Sequence, residues 1–304
     1  MMLADFLGLS LTPALIGLLA SVVCALLGNF LVLRRQSLIG DAVSHVVLPG
    51  VVGAFLVTGT VSTGPMLAGA AIAAVLAVGL IEAIRKLGRI ESGAAMGVVF
   101  TALFAAGVLW LERSRASAVH LDVEHVLYGN LESLIWLAAI DWGDLLDPAV
   151  LAELPVQLPR LAVVLVVVAL FLFHRRRELV LGTFDADFAA SVGARPGLTG
   201  FLLLVMVAVS AVAAFEAVGA ILVVAMFICP AAAARLMTDR LGAQIGWSVA
   251  FAAISSLAGF FLAAYGPLLF GSPDSVSAAG MIAVMSGLIL AIACVAGPRR
   301  RARA

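Results

Sequence analysis

Lysine is almost missing from this chain. Lys86 is the only one in 304 residues and Arg85 precedes it, so the glycine-lysine step of a phosphate-binding loop cannot be built and any nucleotide hydrolysis belongs to another subunit. Charge of either sign is scarce, at 12% of residues against about a quarter in soluble domains. With 63% hydrophobic residues and a mean hydropathy of +1.18, a soluble domain is excluded. The chain reads as a multi-pass protein of the cell (inner) membrane, with lipid around it. The formal net charge is zero, so no basic surplus points to nucleic acid, and none is expected as a partner.

Other absences narrow the field further. Cys24, Cys229 and Cys294 lie apart in apolar runs, which excludes a disulfide framework and predicts small buried apolar residues. Neither His-Glu-x-x-His nor Gly-x-Ser-x-Gly occurs, which removes the zinc and serine routes to intramembrane proteolysis. No lysine or arginine precedes Arg34. The basic start of a secretory signal is therefore missing, and 11–33 is expected to persist as a first membrane helix. With no repeat or low-complexity segment visible, the chain reads as one transmembrane domain, 1–304, ending in a basic tail, 298–304.

What is present is apolar length. Nine runs approach or exceed the roughly 18–20 residues that cross a bilayer core: 11–33, 41–59, 63–83, 93–111, 156–173, 197–215, 217–236, 244–265 and 275–297. The fold class is all-α. The run 156–173 contains Arg160, expected to snorkel toward the head groups. With the N-terminus outside, fifteen of the 18 basic residues fall in inner loops and only Arg113, Arg115 and Arg160 outside. This positive-inside bias predicts an odd number of spans and a cytoplasmic C-terminus.

Two connections are long. In 113–155 the apolar stretch Leu134 to Ile140, with Trp136 and Trp142, predicts a half-inserted helix at the membrane surface. In 174–196 a short helix is expected, capped by Asp185, with Phe188, Ala189 and Val192 on one face and Gly193 and Pro196 ending it. Such a helix between two spans suits docking.

Few ionisable residues fall inside the apolar runs, where each is a functional candidate. Asp41 and His45 are one helical turn apart and share a face. One hard oxygen and one borderline nitrogen suit divalent manganese, iron or zinc better than magnesium or calcium. Waters, carbonyls or a second copy would have to complete the site. The alternative is that Asp41 caps the first turn and His45 is a packing residue. Ser44 can bond to either. Pro49 and Gly50 follow one turn later, where a broken helix would free carbonyls beside the pair, or a tolerated kink would pack closely. Glu82 reads as an edge residue paired with Arg85 and Lys86, and Glu216 as a loop residue between two spans. His120 and His125, beside Asp122 and Glu124, read as part of an exposed loop.

The run Val32-Leu-Arg-Arg-Gln-Ser-Leu-Ile-Gly-Asp-Ala-Val-Ser-His-Val-Val-Leu-Pro-Gly50 resembles a segment shared by permeases of the manganese, zinc and iron ABC importers. Gly97-Val-Val-Phe, Tyr128-Gly-Asn, Phe184-Asp-Ala-Asp-Phe-Ala-Ala-Ser-Val-Gly193, Val218-Gly-Ala-Ile-Leu-Val-Val-Ala-Met226, Pro230-Ala-Ala and Leu236-Met-Thr-Asp-Arg240 are similar to that family in the same order. The likeness runs from about Gly17 to Leu290.

It implies an all-helical permease working with a second permease copy, identical or related, a cytoplasmic ATP-binding subunit and an extracytoplasmic metal-binding protein. It further implies that Asp41 and His45 are metal ligands in the path, and that Asp185 to Gly193 is the helix coupled to the ATPase. Glu216 departs from the family, where an uncharged or basic residue is expected. The chain itself is then no enzyme and holds no permanent cofactor; manganese, zinc or iron is its cargo. Rival readings are a metal-chelate permease of the siderophore or cobalamin type, a proton-coupled carrier using Asp41 and His45 as a relay, and a membrane subunit without transport.

Overall fold

The structure, a computed structural model, describes residues 6–60, 62–113, 131–139, 141–269 and 276–298. Every regular element among them is helical. A π-helical turn, Phe6–Leu11, leads into α1 (Thr12–Leu33), followed by α2 (Ile39–Thr58), α3 (Thr63–Gly88) and α4 (Ser92–Arg113). Short turns Leu131–Ser133 and Trp142–Leu146 and the one-turn α5 (Pro148–Leu151) precede α6 (Gln157–His174). Then come α7 (Arg176–Phe184), α8 (Ala186–Ser191), α9 (Pro196–Val218), α10 (Ala220–Met237), α11 (Leu241–Leu269) and α12 (Ala278–Ala296).

Among the described residues, eight helices are long and apolar enough to cross a membrane. They coincide with eight of the nine expected runs. The ninth run, 217–236, falls on α10, which begins three residues later, at Ala220. The reason lies at Gly219, whose φ of 80° ends one helix and starts the next. Glycine reaches that left-handed region without a Cβ clash.

The chain's contacts divide it into two compact units. The first comprises 1–29, 125–167 and 214–304. Here α10, α11 and α12 pack mutually. A methyl at Gly259 would lie 2.6 Å from Ile282 Cα, so only glycine permits that approach of α11 to α12. Asn29, Gln244 and Ser248 are buried together: Asn29 Nδ2 donates to Ser248 Oγ at 2.6 Å, and Gln244 Nε2 donates to Asn29 Oδ1 at 3.1 Å. Polar side chains inside an apolar bundle need such partners, because no water is there to supply them.

Three expectations for this unit are corrected. Residues 134–139 are not helical: Trp136 is buried with Leu7 and Ala139, and its indole donates to the Val150 carbonyl at 3.0 Å. A small apolar core holds this stretch, with Trp142 left exposed. Glu216 lies in the last turn of α9 rather than in a loop, and its carboxylate accepts from Arg160 and from Gln157 Nε2. The pair explains both sequence oddities at once: the arginine inside an apolar run and the unexpected glutamate neutralise one another. Cys294 is exposed on α12, whereas Cys24 is buried and Cys229 half-buried.

The second unit comprises 30–124 and 168–213. In it α2, α3 and α4 pack mutually. The crossing of α2 and α3 is backbone on backbone at Gly50 and Gly69. A methyl on Gly50 would lie 2.7 Å from Ala70 Cα and from the Gly69 carbonyl oxygen. On the other flank, a methyl on Gly107 of α4 would lie 2.8 Å from Pro49 Cβ. Small residues at these positions let the helices meet without intervening side chains. Glu82 is paired as expected, accepting from Arg85 Nη2 at 2.8 Å with Lys86 Nζ at 3.6 Å, but it is buried rather than at the surface.

Candidate functional site

Helix α2 divides into two faces. Ile39, Ala42, Val43, Val46, Pro49 and Gly50 are buried at helical spacing, while Asp41, Ser44, His45 and Leu48 are not. Asp41 Oδ1 lies 3.7 Å from His45 Nε2, and the two side chains are 44% and 43% exposed. A tetrahedral ion with bonds of about 2.0–2.2 Å sets its donors about 3.4 Å apart. A small rotation of either side chain thus makes the pair a two-point chelate. Asp41 also stands in the first turn of α2, where the helix dipole favours a negative charge.

The imidazole has an aromatic backing from α4. Phe100 stacks on it with centroids 5.1 Å apart and Phe104 meets it edge-on at 5.9 Å. Phe100, Phe104 and Gly107 recur at i, i+4 and i+7, one face of α4, against His45 and Pro49 at i and i+4 on α2. Ser44 bonds to neither Asp41 nor His45 through their side chains: its hydroxyl donates to the Asp41 carbonyl at 2.6 Å, leaving the carboxylate unencumbered.

Of the two readings open at Pro49 and Gly50, the structure has the closely packed helix and not the broken one. Helix α2 is continuous from Ile39 to Thr58 with Pro49 inside it, held by the two close crossings. Proline nonetheless has no N–H to give, and its helical acceptor four residues back is the carbonyl of His45. Among the described residues no three of His, Cys, Asp and Glu cluster as a metal site. His120, Asp122, Glu124 and His125 lie outside the described residues.

The expected short helix forms as α8. Asp185 is its N-cap, accepting from the Phe188 N–H at 2.8 Å, and Gly193 takes a φ of 80° before Pro196 opens α9. The shared face of Phe188, Ala189 and Val192 is not wholly packed: Ala189 is buried, whereas Phe188 is 53% and Val192 45% exposed. The surface carries apolar knobs instead, with Phe184 exposed beside them.

A network with no sequence signal fastens this segment. Glu178 of α7 accepts from Thr199 Oγ1 of α9 at 2.5 Å and from Arg175 Nη1 at 2.8 and 2.9 Å. The Thr199 hydrogen bond is the largest influence on the Glu178 carboxyl and holds it below its ordinary pKa, with burial opposing and Arg175 adding to the depression. Arg34, just beyond α1, donates from Nε to Thr183 Oγ1 of α7 at 3.0 Å.

The ABC 3 transport family matches residues 9–296 of this sequence. The chain belongs to that family. This ABC 3 family member is 38% identical over 282 residues to the manganese transport system membrane protein MntD of Bacillus subtilis, covering 93% of this chain and 90% of that one. It is 37% identical over 291 residues to the zinc transport system membrane protein TroD of Treponema pallidum, covering 96% and 75%. Among solved structures it resembles PsaBC from Streptococcus pneumoniae in complex with Fab, with a TM-score of 0.70, 27% identity and 95% and 92% of the two chains covered. An inward-facing ABC transporter assigned to the metal-chelate type shares the fold alone, at 14% identity and a TM-score of 0.69 over 96% and 87% of the chains.

Proposed function

We propose that this chain is the membrane-spanning permease subunit of an ATP-driven importer of a divalent transition-metal cation, manganese, zinc or iron. The observation that carries the reading is the Asp41–His45 pair, 3.7 Å apart on the accessible face of α2. A bare divalent ion in hydrocarbon is prohibitively costly without ligands to replace its water. The carboxylate and the imidazole supply two donors from one helix. Their face is open in the single chain, which supports completion of the path by a second permease copy, identical or related. A carboxylate left on lipid would be costly.

Work on the cation comes from elsewhere. ATP is bound and hydrolysed by a cytoplasmic partner, and metal is delivered by an extracytoplasmic binding protein. The segment from Asp185 to Gly193 is the coupling element, supported by its exposed Phe188 and Val192 and its firm attachment through Glu178 and Thr199. In this reading the N-terminus is outside and the C-terminus cytoplasmic, as the basic residues favour. The test is metal accumulation in cells carrying Asp41→Asn with His45→Ala at normal membrane abundance. Uptake of all three metals is expected to be lost; wild-type accumulation would refute the site.

A further inference from the structure

Within the second unit, beside the α7–α8 segment, lies a cavity of about 390 Å³. Its charged lining is three arginines, Arg34, Arg35 and Arg85, against one carboxylate, Glu82. That carboxylate is already engaged by Arg85 and Lys86. Arg34 spends its Nε on Thr183, yet its Nη2 is buried without a partner, as are Nε of Arg85 and Oε1 of Gln36. A glycine makes room for the guanidinium: a methyl on Gly200 would lie 2.8 Å from Arg34 Nη1. Burial lowers the pKa of Arg34 from the ordinary arginine value, with Glu82 opposing, but a guanidinium stays charged at any physiological pH. A sequestered cation with unused donors is costly until an anion occupies them.

We propose that this cavity is a binding site for a phosphate-bearing anion, held by Arg34, Arg35 and Arg85, with Gln36 accepting from a ligand hydroxyl. Guanidinium groups match phosphate oxygens in a fork geometry that lysine does not offer. The place is right for a head group. Helix α1 ends at Leu33, α3 at Gly88, and α9 begins at Pro196, so the cavity lies at the ends of three spans. Phosphates sit at that level of a bilayer, and basic pockets between helices take anionic lipid head groups there. A phosphate diester from such a lipid and inorganic phosphate share this chemistry.

The test uses the purified full-length chain and reads bound ligand by native mass spectrometry. Phosphatidylglycerol and phosphatidylcholine are titrated in parallel, and inorganic phosphate alone and as competitor. Arg34→Gln removes a central donor. Gly197→Asp places a carboxylate in the cavity from a position where an added Cβ meets nothing within 4 Å, in the first turn of α9, where acidic residues are tolerated. It leaves Arg34 and its contacts intact, and Gly197→Asn is its uncharged control. Phosphatidylglycerol is expected to outcompete phosphatidylcholine, and both Arg34→Gln and Gly197→Asp to weaken binding about tenfold or more, with Gly197→Asn near wild type. Binding of phosphate alone, and competition by it, would identify a free anion as the ligand; lipid binding untouched by phosphate would identify the head group. Equal binding by wild type and Gly197→Asp overturns the proposal, as does the lack of both lipid preference and phosphate binding. The readout involves no metal, so it stands or falls separately from the importer reading.

Discussion

The ring of His45 lies against that of Phe100, 22° from parallel with centroids 5.1 Å apart, so the orientation of the imidazole on α2 is set by a side chain of α4. Aromatic pairs of this kind contribute about 0.5–1.5 kcal/mol. Phe100→Leu is therefore expected to raise the half-saturating metal concentration for uptake about three- to tenfold, with the maximal rate largely kept. Kinetics of uptake against metal concentration check this; an unchanged half-saturation would show that the imidazole is positioned without its backing.

The crossing of α2 and α3 gives a stability prediction. Gly69→Ala drives a methyl into the Gly50 carbonyl, an overpacking expected to cost about 1–3 kcal/mol and to lower the Tm of the purified protein. Gly53→Ala, about one turn past Gly50 on α2 with nothing within 4 Å of the added Cβ, is expected to leave Tm unchanged. Equal effects of the two would contradict the close approach.

Glu216 and Arg160 should behave as a unit. Glu216→Gln strands a guanidinium in an apolar helix and is expected to destabilise by about 1–3 kcal/mol, less than for a fully buried pair because Arg160 is partly accessible. Replacing both by leucine is expected to recover most of the loss. A double-mutant cycle by denaturant unfolding measures the coupling, and additive effects would show that the two residues act independently.

The Glu178 carboxylate gives a pH dependence. Its folded pKa is depressed by Thr199 and Arg175, so its contribution to stability is present above the unfolded value, about 4.3, and disappears as pH falls through the folded value. Thr199→Val is expected to lower Tm at neutral pH, and the gap from wild type to close below about pH 4. A gap that widens on acidification would reverse the sign.

Phe188 is exposed on α8, and its replacement should not disturb folding. In the importer reading, Phe188→Ala is expected to leave Tm near the wild-type value while reducing co-purification of the proposed ATP-binding partner several-fold. Undiminished capture of that partner would move the coupling contact away from α8.

Hydropathy alone located the membrane helices, because a 30 Å hydrocarbon core imposes a length that no soluble helix needs to satisfy. Asp41 and His45 were legible for a similar reason: polar groups at helical spacing stand out against an apolar run. The Arg160–Glu216 pair was not, since the two are 56 residues apart and each looked like an anomaly until the fold joined them. Arg34 was hidden differently. In the sequence it is one more basic residue counted toward orientation, and only the space left by Gly200 reveals that it is drawn inward. Pro49 left two readings open because proline breaks some membrane helices and packs tightly within others, and only the close contacts on both flanks of the continuous helix decide between them.

Helix α2 is gripped at Pro49 by α4 and at Gly50 by α3, immediately beyond the turn that carries His45. A rod pinned on two sides at one level can neither roll nor slide past its neighbours without first opening both contacts. In the importer reading, the cation-bearing turn consequently travels with α3 and α4 as a single piece, and the hinges that permit alternating exposure lie in the connections leaving that trio, not inside it.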